Sequence, residues 1–221
     1  MRQALLPVLC ASVLLGCADH PVNPPAFVID RPEKVIEGLA RAYQARDPAS
    51  FLELLANDSR GNAAFRFIPS SHREPREPDW GYDTEARIHR RMFRPRNPLP
   101  GELPVFEALW VEAINISVTR QSEWEERTDL YSDDSLADGV LDRNRWRATG
   151  ARYATDVFFQ MKGEIDSQVS GESDFVVEDL TKTPGDAGKF LLLVWEDRGS
   201  PGPKPTGVES NSWTGVKLLY R

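Results

Sequence analysis

The amino-acid sequence predicts an α+β domain in which three amphipathic helices come first and an antiparallel sheet follows. Two observations carry this prediction. Apolar residues recur at helical spacing in the first half of the chain, whereas longer segments rich in β-branched and aromatic residues, most of them alternating, fill the second half. Because helices and strands are segregated along the chain, we expect the helices to pack on one face of a curved sheet.

The predicted helices have recognisable first turns. Asp30 can cap the first helix, with Pro32 in the first turn where a missing N–H costs nothing. Asp47 followed by Pro48 ends that helix and caps a second, short one, and Asp83 caps a third. The buried faces of these helices comprise Val35, Ile36, Leu39, Ala42, Tyr43, Phe51, Leu52, Leu54, Leu55, Ile88, Met92 and Phe93.

The predicted strands begin with a short one that covers the sequence "FRFIPS". Long strands follow after a loop rich in proline, and they alternate as half-buried strands do. The predicted strand ranges are 65–70, 108–120, 152–168, 172–181, 188–197 and 213–220.

The chain opens with an apolar run that we interpret as a signal peptide over residues 1–16. As a helix, the run from Ala4 to Gly16 is about 20 Å long, too short for the ~30 Å core of a bilayer. One basic residue, Arg2, precedes it and small residues follow it, which is typical of secretory signals. Residues 17–30 contain three prolines and read as an extended tether.

The tetrad Leu14-Leu15-Gly16-Cys17 resembles the lipobox of bacterial lipoproteins. The resemblance implies cleavage before Cys17 and attachment of palmitate-type acyl chains to it, so the protein would be held in the membrane of the cell envelope. Ala18 in place of aspartate implies the outer membrane, with the domain in the periplasm. An ordinary signal peptide, with Cys17 as an incidental thiol, remains the alternative.

Composition restricts the remaining possibilities. The formal net charge of -7 repels phosphate backbones, so nucleic acid is not an expected partner. The chain has 2 cysteines, Cys10 in the signal peptide and Cys17, so we expect no disulfide in the mature domain. Residues 31–221 fit one domain.

Residues 32 to 221 also carry a family resemblance. The opening "VIEGLARAYQARDPASFLELL", then "FRF", a third helix and the terminal "LLLVWEDRG" and "SWTGVKLLYR" resemble the NTF2-like superfamily, of the SnoaL and ketosteroid-isomerase type, including its bacterial lipoproteins of unassigned function. The resemblance implies a cone in which three N-terminal helices close one side of a strongly curved antiparallel sheet. This superfamily includes enzymes and non-enzymes, and no catalytic residue of its enzymes can be matched here.

The interior of such a cone is the natural ligand pocket. Strand parity points Trp110, Glu112, Tyr153 and Phe159 into it, and Tyr43 faces it from the first helix. Alternatively, the two tyrosines are ordinary core residues whose hydroxyl groups are satisfied within the protein. Glu112 is the one charge among the five residues, and a carboxylate in an apolar cavity has a raised pKa suited to general acid or base work. Alternatively, Glu112 lies at the wet end of its strand, pairs with Arg152, or is turned outward by a bulge.

Other chemistry finds little support in the sequence, and we expect no metal and no cofactor. His20, His72 and His89 have no partner at zinc-ligand spacing. The acidic segment 123–142 contains "DDSLADG", but Leu136 and Arg145 fall where an EF-hand requires ligands. No G-x-S-x-G or P-loop motif occurs.

Three hypotheses about function follow. We prefer a non-catalytic envelope lipoprotein whose cone binds a small apolar ligand or a partner protein. The second is an isomerase or dehydratase that uses Glu112. The third is a structural or assembly adaptor, and a homodimer through the open face of the sheet, where Phe158 lies, is compatible with it. An open cone would favour the first two hypotheses, and a filled cone would favour the third.

Overall fold

In a computed structural model of the chain, the structure describes residues 27–57, 59, 63–70, 77–96, 100–101, 104–127, 147–163, 166–180, 189–199 and 209–221. The predicted signal peptide, Cys17, most of the tether and most of the acidic segment lie outside these residues. Among the described residues, no helix combines the length and the apolar character needed to cross a bilayer.

Four α-helices and one short 3₁₀ helix occur in the described part of the chain. They are α1 (Pro32–Ala45), α2 (Pro48–Glu53), α3 (Tyr82–Phe93), the 3₁₀ helix (Glu107–Leu109) and α4 (Trp213–Leu218). The last of these corrects the sequence prediction, because 213–220 was expected to be a strand. Ser212 caps α4 by accepting a hydrogen bond from the N–H of Gly215 at 3.1 Å, and this local contact favours a helix.

The helix caps agree with the sequence in one of three cases. Asp47 caps α2, its carboxylate accepting from the N–H of Ala49 at 3.0 Å. Asp30 and Asp83 are not caps: α1 is preceded by Arg31, which makes no side-chain capping bond, and α3 by Gly81. Asp83 lies in the first turn of α3 instead, where a carboxylate still interacts favourably with the helix dipole.

Eight strands of the described residues form one sheet. They are β1 (Arg66–Ile68), β2 (Trp80–Gly81), β3 (Val111–Arg120), β4 (Glu125–Glu126), β5 (Arg147–Met161), β6 (Ser167–Asp179), β7 (Phe190–Gly199) and β8 (Glu209–Asn211). Their order is β2-β1-β7-β6-β5-β3, with β4 beside β5 and β8 beside β6. The long strands β3, β5, β6 and β7 pair antiparallel in chain order.

The sheet is mixed, which corrects the prediction of an antiparallel one. Two short strands pair parallel, β1 with β7 and β8 with β6. The first pairing joins segments more than a hundred residues apart, and the second joins strands that have β7 between them in the chain, so no local pattern in the sequence indicates either. The domain is therefore α+β with a mixed sheet.

The main core lies between the helices and one face of the long strands. Its fully buried large side chains include Trp195, Trp213, Tyr43, Tyr220, Phe51, Phe159 and Phe175. The helix α1 contributes Val35, Ile36 and Leu39 from its apolar face. Through Trp213 and Tyr220, the C-terminal helix and the residues after it are part of this core and do not cover it from outside.

Candidate functional site

The five residues that the sequence predicted to line one pocket lie in two different places in the structure. Tyr43, Tyr153 and Phe159 are buried in the core. Trp110 and Glu112 line a cleft at the surface instead. The predicted single pocket is therefore not formed, and two separate groups of residues remain to be considered.

Glu112 is exposed, so its prediction as a carboxylate inside an apolar cavity is wrong. The register of β3 against β5 shifts between Val111 and Ala113, which leaves Glu112 as the extra residue of a bulge. Alternation along β3 consequently restarts at the bulge: Val111 and Ile114 face the core, and Glu112 faces solvent. The outward bulge, one of the alternatives for Glu112, is the arrangement found.

Inside the core, a tyrosine and a histidine form a buried hydrogen-bonded pair. The Tyr43 hydroxyl lies 2.5 Å from Nε2 of His89, and Nδ1 of His89 lies 3.0 Å from the carbonyl oxygen of Glu85. A carbonyl oxygen only accepts, so Nδ1 carries the proton and Nε2 accepts from Tyr43. Burial lowers the pKa of His89 to about 4, with Glu85 opposing this effect, so the ring is neutral at pH 7. Burial, reinforced by Glu85, raises the pKa of Tyr43 well above its ordinary value.

Next to this pair lies a buried ion pair. Lys217 of α4 donates to Oε1 of Glu85, and Nε1 of Trp80 donates to Oε2 at 2.6 Å. The lysine Nζ lies 3.6 Å from the ring centroids of both Phe67 and Trp195, so aromatic faces replace water around the ammonium. Burial lowers the pKa of Lys217 to about 8, although Glu85 opposes the shift. We call Tyr43, Glu85, His89 and Lys217 the interior polar cluster.

The helix that carries Lys217 is fixed at both ends by further hydrogen bonds. Asp197 accepts from the N–H of Thr214 at 2.8 Å and from its hydroxyl at 2.7 Å. The hydroxyl of Thr214 in turn accepts from the N–H of Ser70 at 2.9 Å. At the other end, the hydroxyl of Tyr220 donates to the carbonyl oxygen of Leu109 at 2.7 Å. The polar groups that α4 brings into the core are thus satisfied.

The side chains of the core fill the region where the sequence placed a ligand pocket. Trp213 packs edge-on against Tyr43 and Trp195, with ring centroids 5.2 Å and 4.8 Å apart. Its indole N–H donates to the hydroxyl of Thr155 at 3.2 Å. Glu85 and His89 are the kinds of group that catalyse proton transfer, yet both oxygens of Glu85 and both ring nitrogens of His89 already have partners within the protein. This arrangement favours a structural role for the interior polar cluster.

Sequence reasoning missed Glu85 and Lys217, and it did not place His89 in a site. Glu85 and His89 lie one turn apart on α3, but Lys217 lies 132 positions after Glu85, in the stretch that was assigned to a strand. A signal was nevertheless present, because Trp213, Val216 and Tyr220 recur at helical spacing behind Ser212, a good capping residue. With a helix there, the buried face would have included Lys217.

The second group forms what we call the arginine cleft, which has a volume of about 510 Å³. It is lined by Arg46, Phe93, Arg94, Pro95, Arg96, Trp110, Val111 and Glu112. The cleft lies where α1 and α3 end and β3 begins. Its lining carries three guanidinium groups and one carboxylate, so it is electropositive.

Arg46 has an unusual backbone conformation at the edge of this cleft. It ends α1 with φ 51° and ψ 45°, the left-handed conformation that glycine or asparagine normally supplies. Its N–H completes the helix end by bonding to the carbonyl oxygen of Tyr43 at 3.0 Å. Its guanidinium donates to the carbonyl oxygen of Val111 at 2.6 Å, beside the bulge. Arg46 therefore ties the end of α1 to the irregular start of β3.

Trp110 forms an aromatic wall of the cleft and has two cations near its ring. The guanidinium carbon of Arg96 lies 4.8 Å from a Trp110 ring centroid, and Nζ of Lys162 lies 4.9 Å from it. The indole N–H donates to the carbonyl oxygen of Val105 at 3.0 Å, which fixes the ring. Lys162 also pairs with Glu107, whereas Arg96 is exposed.

Comparison with known proteins yields structural neighbours only. No protein-family model matches the chain, and no curated protein matches it. A conserved protein from Planctomyces limnophilus DSM 3776 is similar with a TM-score of 0.45 and 11% identity, over 75% of this chain and 90% of that one. A Thiobacillus denitrificans ATCC 25259 protein assigned as a calcium/calmodulin-dependent protein kinase type II association domain is similar with a TM-score of 0.42 and 14% identity, over 80% and 98%.

Proposed function

We propose that the chain is a lipoprotein of the bacterial cell envelope with a non-catalytic NTF2-like domain, which binds its ligand or partner protein at the surface. One observation carries this proposal: the interior is occupied by the chain's own C-terminal helix, whose side chains Trp213 and Lys217 are almost completely withdrawn from solvent. A filled interior counts against a ligand enclosed in the cone and favours recognition at the surface, a feature that this proposal shares with the adaptor hypothesis.

The enzyme hypothesis relied on Glu112, and neither that carboxylate nor the buried Glu85 supports it. Glu112 is exposed to water and lies outside the apolar core. Glu85 lies in the core, but Lys217 and Trp80 occupy its oxygens. A general base needs a free lone pair within reach of a substrate proton. Neither carboxylate meets both conditions of burial and access.

Lipid attachment at Cys17 completes the proposal. The tetrad at 14–17 supports it, and two or three acyl chains hold a protein to a membrane far more firmly than one. We propose the outer membrane, with the domain in the periplasm. The proline-containing residues 17–30 would then separate the domain from the membrane surface.

Native mass spectrometry of the full-length protein, extracted from its own envelope in detergent, tests this function. We expect a bound small molecule or a partner protein of defined mass at constant stoichiometry. In the same preparation, we expect no product from added apolar ketone substrates: isomerisation, which leaves the mass unchanged, is followed by chromatographic retention, and dehydration is followed by mass. Turnover that disappears in Glu85→Gln or Glu112→Gln would overturn the proposal, as would a protein that retains no bound species of any kind.

A further inference from the structure

The arginine cleft contains positive charge that the described residues leave uncompensated. Arg94 and Arg96 are exposed, and no carboxylate of the described residues lies within ion-pair distance of either. The charge of Arg94 does act on the carboxylate of Asp47. It contributes only part of the lowering of the Asp47 pKa, which is caused mainly by the hydrogen bond from Ser50. Asp47 accepts hydrogen bonds from Ser50 and Ala49 as the cap of α2 and forms no ion pair with Arg94 in the described part of the chain, so it offsets the charge of the cleft only at a distance.

Two backbone irregularities meet at the same place. Arg46 adopts the left-handed conformation although a residue with a Cβ pays a steric cost there, and Glu112 is the extra residue of a β-bulge. The bond from Arg46 to the carbonyl oxygen of Val111 joins the two irregularities. Strained residues and bulges concentrate where a protein positions side chains for binding, which is an observation separate from the charge.

An aromatic ring adds a third independent feature. Trp110 is partly exposed, and its indole N–H is held by Val105, so its orientation is fixed while part of its surface faces the cleft. Arginine beside a tryptophan face suits a ligand that carries an anionic group next to a flat or apolar part.

We propose that the arginine cleft binds an oxyanion, either a phosphate or a carboxylate, on a molecule whose flat or apolar part packs against Trp110. Arg94 and Arg96 supply planar, two-donor hydrogen bonding to the oxyanion, and Arg46, which also lines the cleft, adds positive charge. Glu112 at the rim accepts a hydrogen bond from a hydroxyl or amino group of the same ligand. This inference rests on the proposed surface-binding function and names the class of ligand.

The test uses the full-length protein in phosphatidylcholine nanodiscs and isothermal titration with phenyl phosphate, benzoate, inorganic phosphate and neutral benzyl alcohol. We expect phenyl phosphate or benzoate to bind and benzyl alcohol not to bind. The double variant Arg94→Gln/Arg96→Gln should weaken the binding at least about tenfold. The matched control is Arg41→Gln/Arg87→Gln, which removes the same charge from exposed positions of α1 and α3 outside the cleft and should change the affinity less than about twofold.

Trp110→Ala separates stacking from charge. This substitution should weaken the binding of phenyl phosphate by about fivefold and leave the binding of inorganic phosphate unchanged. Nanodiscs that contain phosphatidic acid distinguish the two sources of phosphate. If phosphatidic acid weakens the binding of phenyl phosphate, a lipid headgroup reaches the cleft, and if it has no effect, the ligand is a free molecule.

Equal loss of affinity in the cleft variant and the control variant would overturn the inference, as would binding of benzyl alcohol as tight as that of phenyl phosphate. Thermal melting of each variant confirms that it is folded before titration. A ligand or partner that is found by mass spectrometry but is not displaced by these anions would refute the inference and leave the proposed function standing. If the cleft binds these anions and the protein also turns over ketones, the proposed function is refuted and the inference about the cleft stands.

Discussion

The ammonium group of Lys217 and the carboxylate of Glu85 form an ion pair in which neither side chain has any exposed surface. The two residues are separated by 132 positions in the chain, and their contact attaches the C-terminal helix to α3. Aromatic rings and one indole N–H complete the surroundings. Desolvating two charges is expensive, so this pair is better understood as fixing the position of α4 than as a large source of stability.

The first prediction concerns the removal of one partner of this pair. Lys217→Met leaves the carboxylate of Glu85 buried without its counter-charge, and we expect a loss of about 3–5 kcal/mol in the free energy of unfolding. The double variant Glu85→Gln/Lys217→Met removes both charges and retains an acceptor for Trp80, so it should recover most of that loss. Urea unfolding at pH 7 measures both. A single variant as stable as the double variant would show that the pair does not act as a unit.

The second prediction concerns acid stability through His89. Unfolded histidine takes up a proton near pH 6.5, whereas folded His89 does so only near pH 4. Between these values the unfolded chain binds more protons, so the free energy of unfolding falls as the pH falls. The contribution of His89 over this window is about 3 kcal/mol.

Denaturant unfolding at a series of pH values checks this prediction with His89→Gln as the comparison. Glutamine retains one donor and one acceptor but does not titrate, so the variant should lose stability less steeply from pH 6.5 to pH 4. The groups nearest the ring, Glu85, Lys217 and Tyr43, are the same in both proteins. Parallel stability curves for the two proteins over this range would contradict the assignment of the shift to His89.

Local features of the fold were predictable from the sequence, and features that depend on distant segments were not. Asp47 was identified as a cap because its partner, the N–H of Ala49, is two residues away. The orientation of Glu112 depends on a bulge in the pairing of β3 with β5, about fifty residues further on, so parity alone gave the wrong face. The segment 213–220 contains apolar residues that suit either a strand or a helix, and tertiary packing of Trp213 decides between them.

The candidate site also combines features that the local sequence indicates with features that depend on distant segments. Trp110 and Glu112 were predicted to line an interior pocket, and they line a cleft at the surface instead. Arg46 and Arg94 could not be joined to them, because the ends of α1 and α3 meet the start of β3 only in the folded chain. The interior polar cluster was missed since its members come from three helices that are far apart in sequence.

The third prediction compares two threonines. Thr214→Val removes the hydroxyl that donates to Asp197 and accepts from the N–H of Ser70, and we expect a loss of about 1–3 kcal/mol. Thr149→Val is the matched control, because the buried hydroxyl of Thr149 has no hydrogen-bond partner among the residues that the structure describes. That change should be neutral or slightly stabilising. Urea unfolding measures the free energy of unfolding of both variants. Equal effects of the two substitutions would contradict the role of Thr214 in fixing α4.

The last prediction concerns the membrane anchor, and the chain supplies its own control in a second cysteine. Cys17→Ser should abolish incorporation of an alkyne-tagged palmitate analogue and release the protein from the washed membrane fraction, because the hydroxyl does not take the thioether-linked lipid. Cys10→Ser should leave both labelling and membrane attachment unchanged, since residue 10 lies in the predicted signal peptide. Each buried methylene contributes about 0.8 kcal/mol, so two or three chains resist washing that removes a protein held only by surface charge. Labelling that persists in Cys17→Ser, or that disappears in Cys10→Ser, would place the lipid elsewhere.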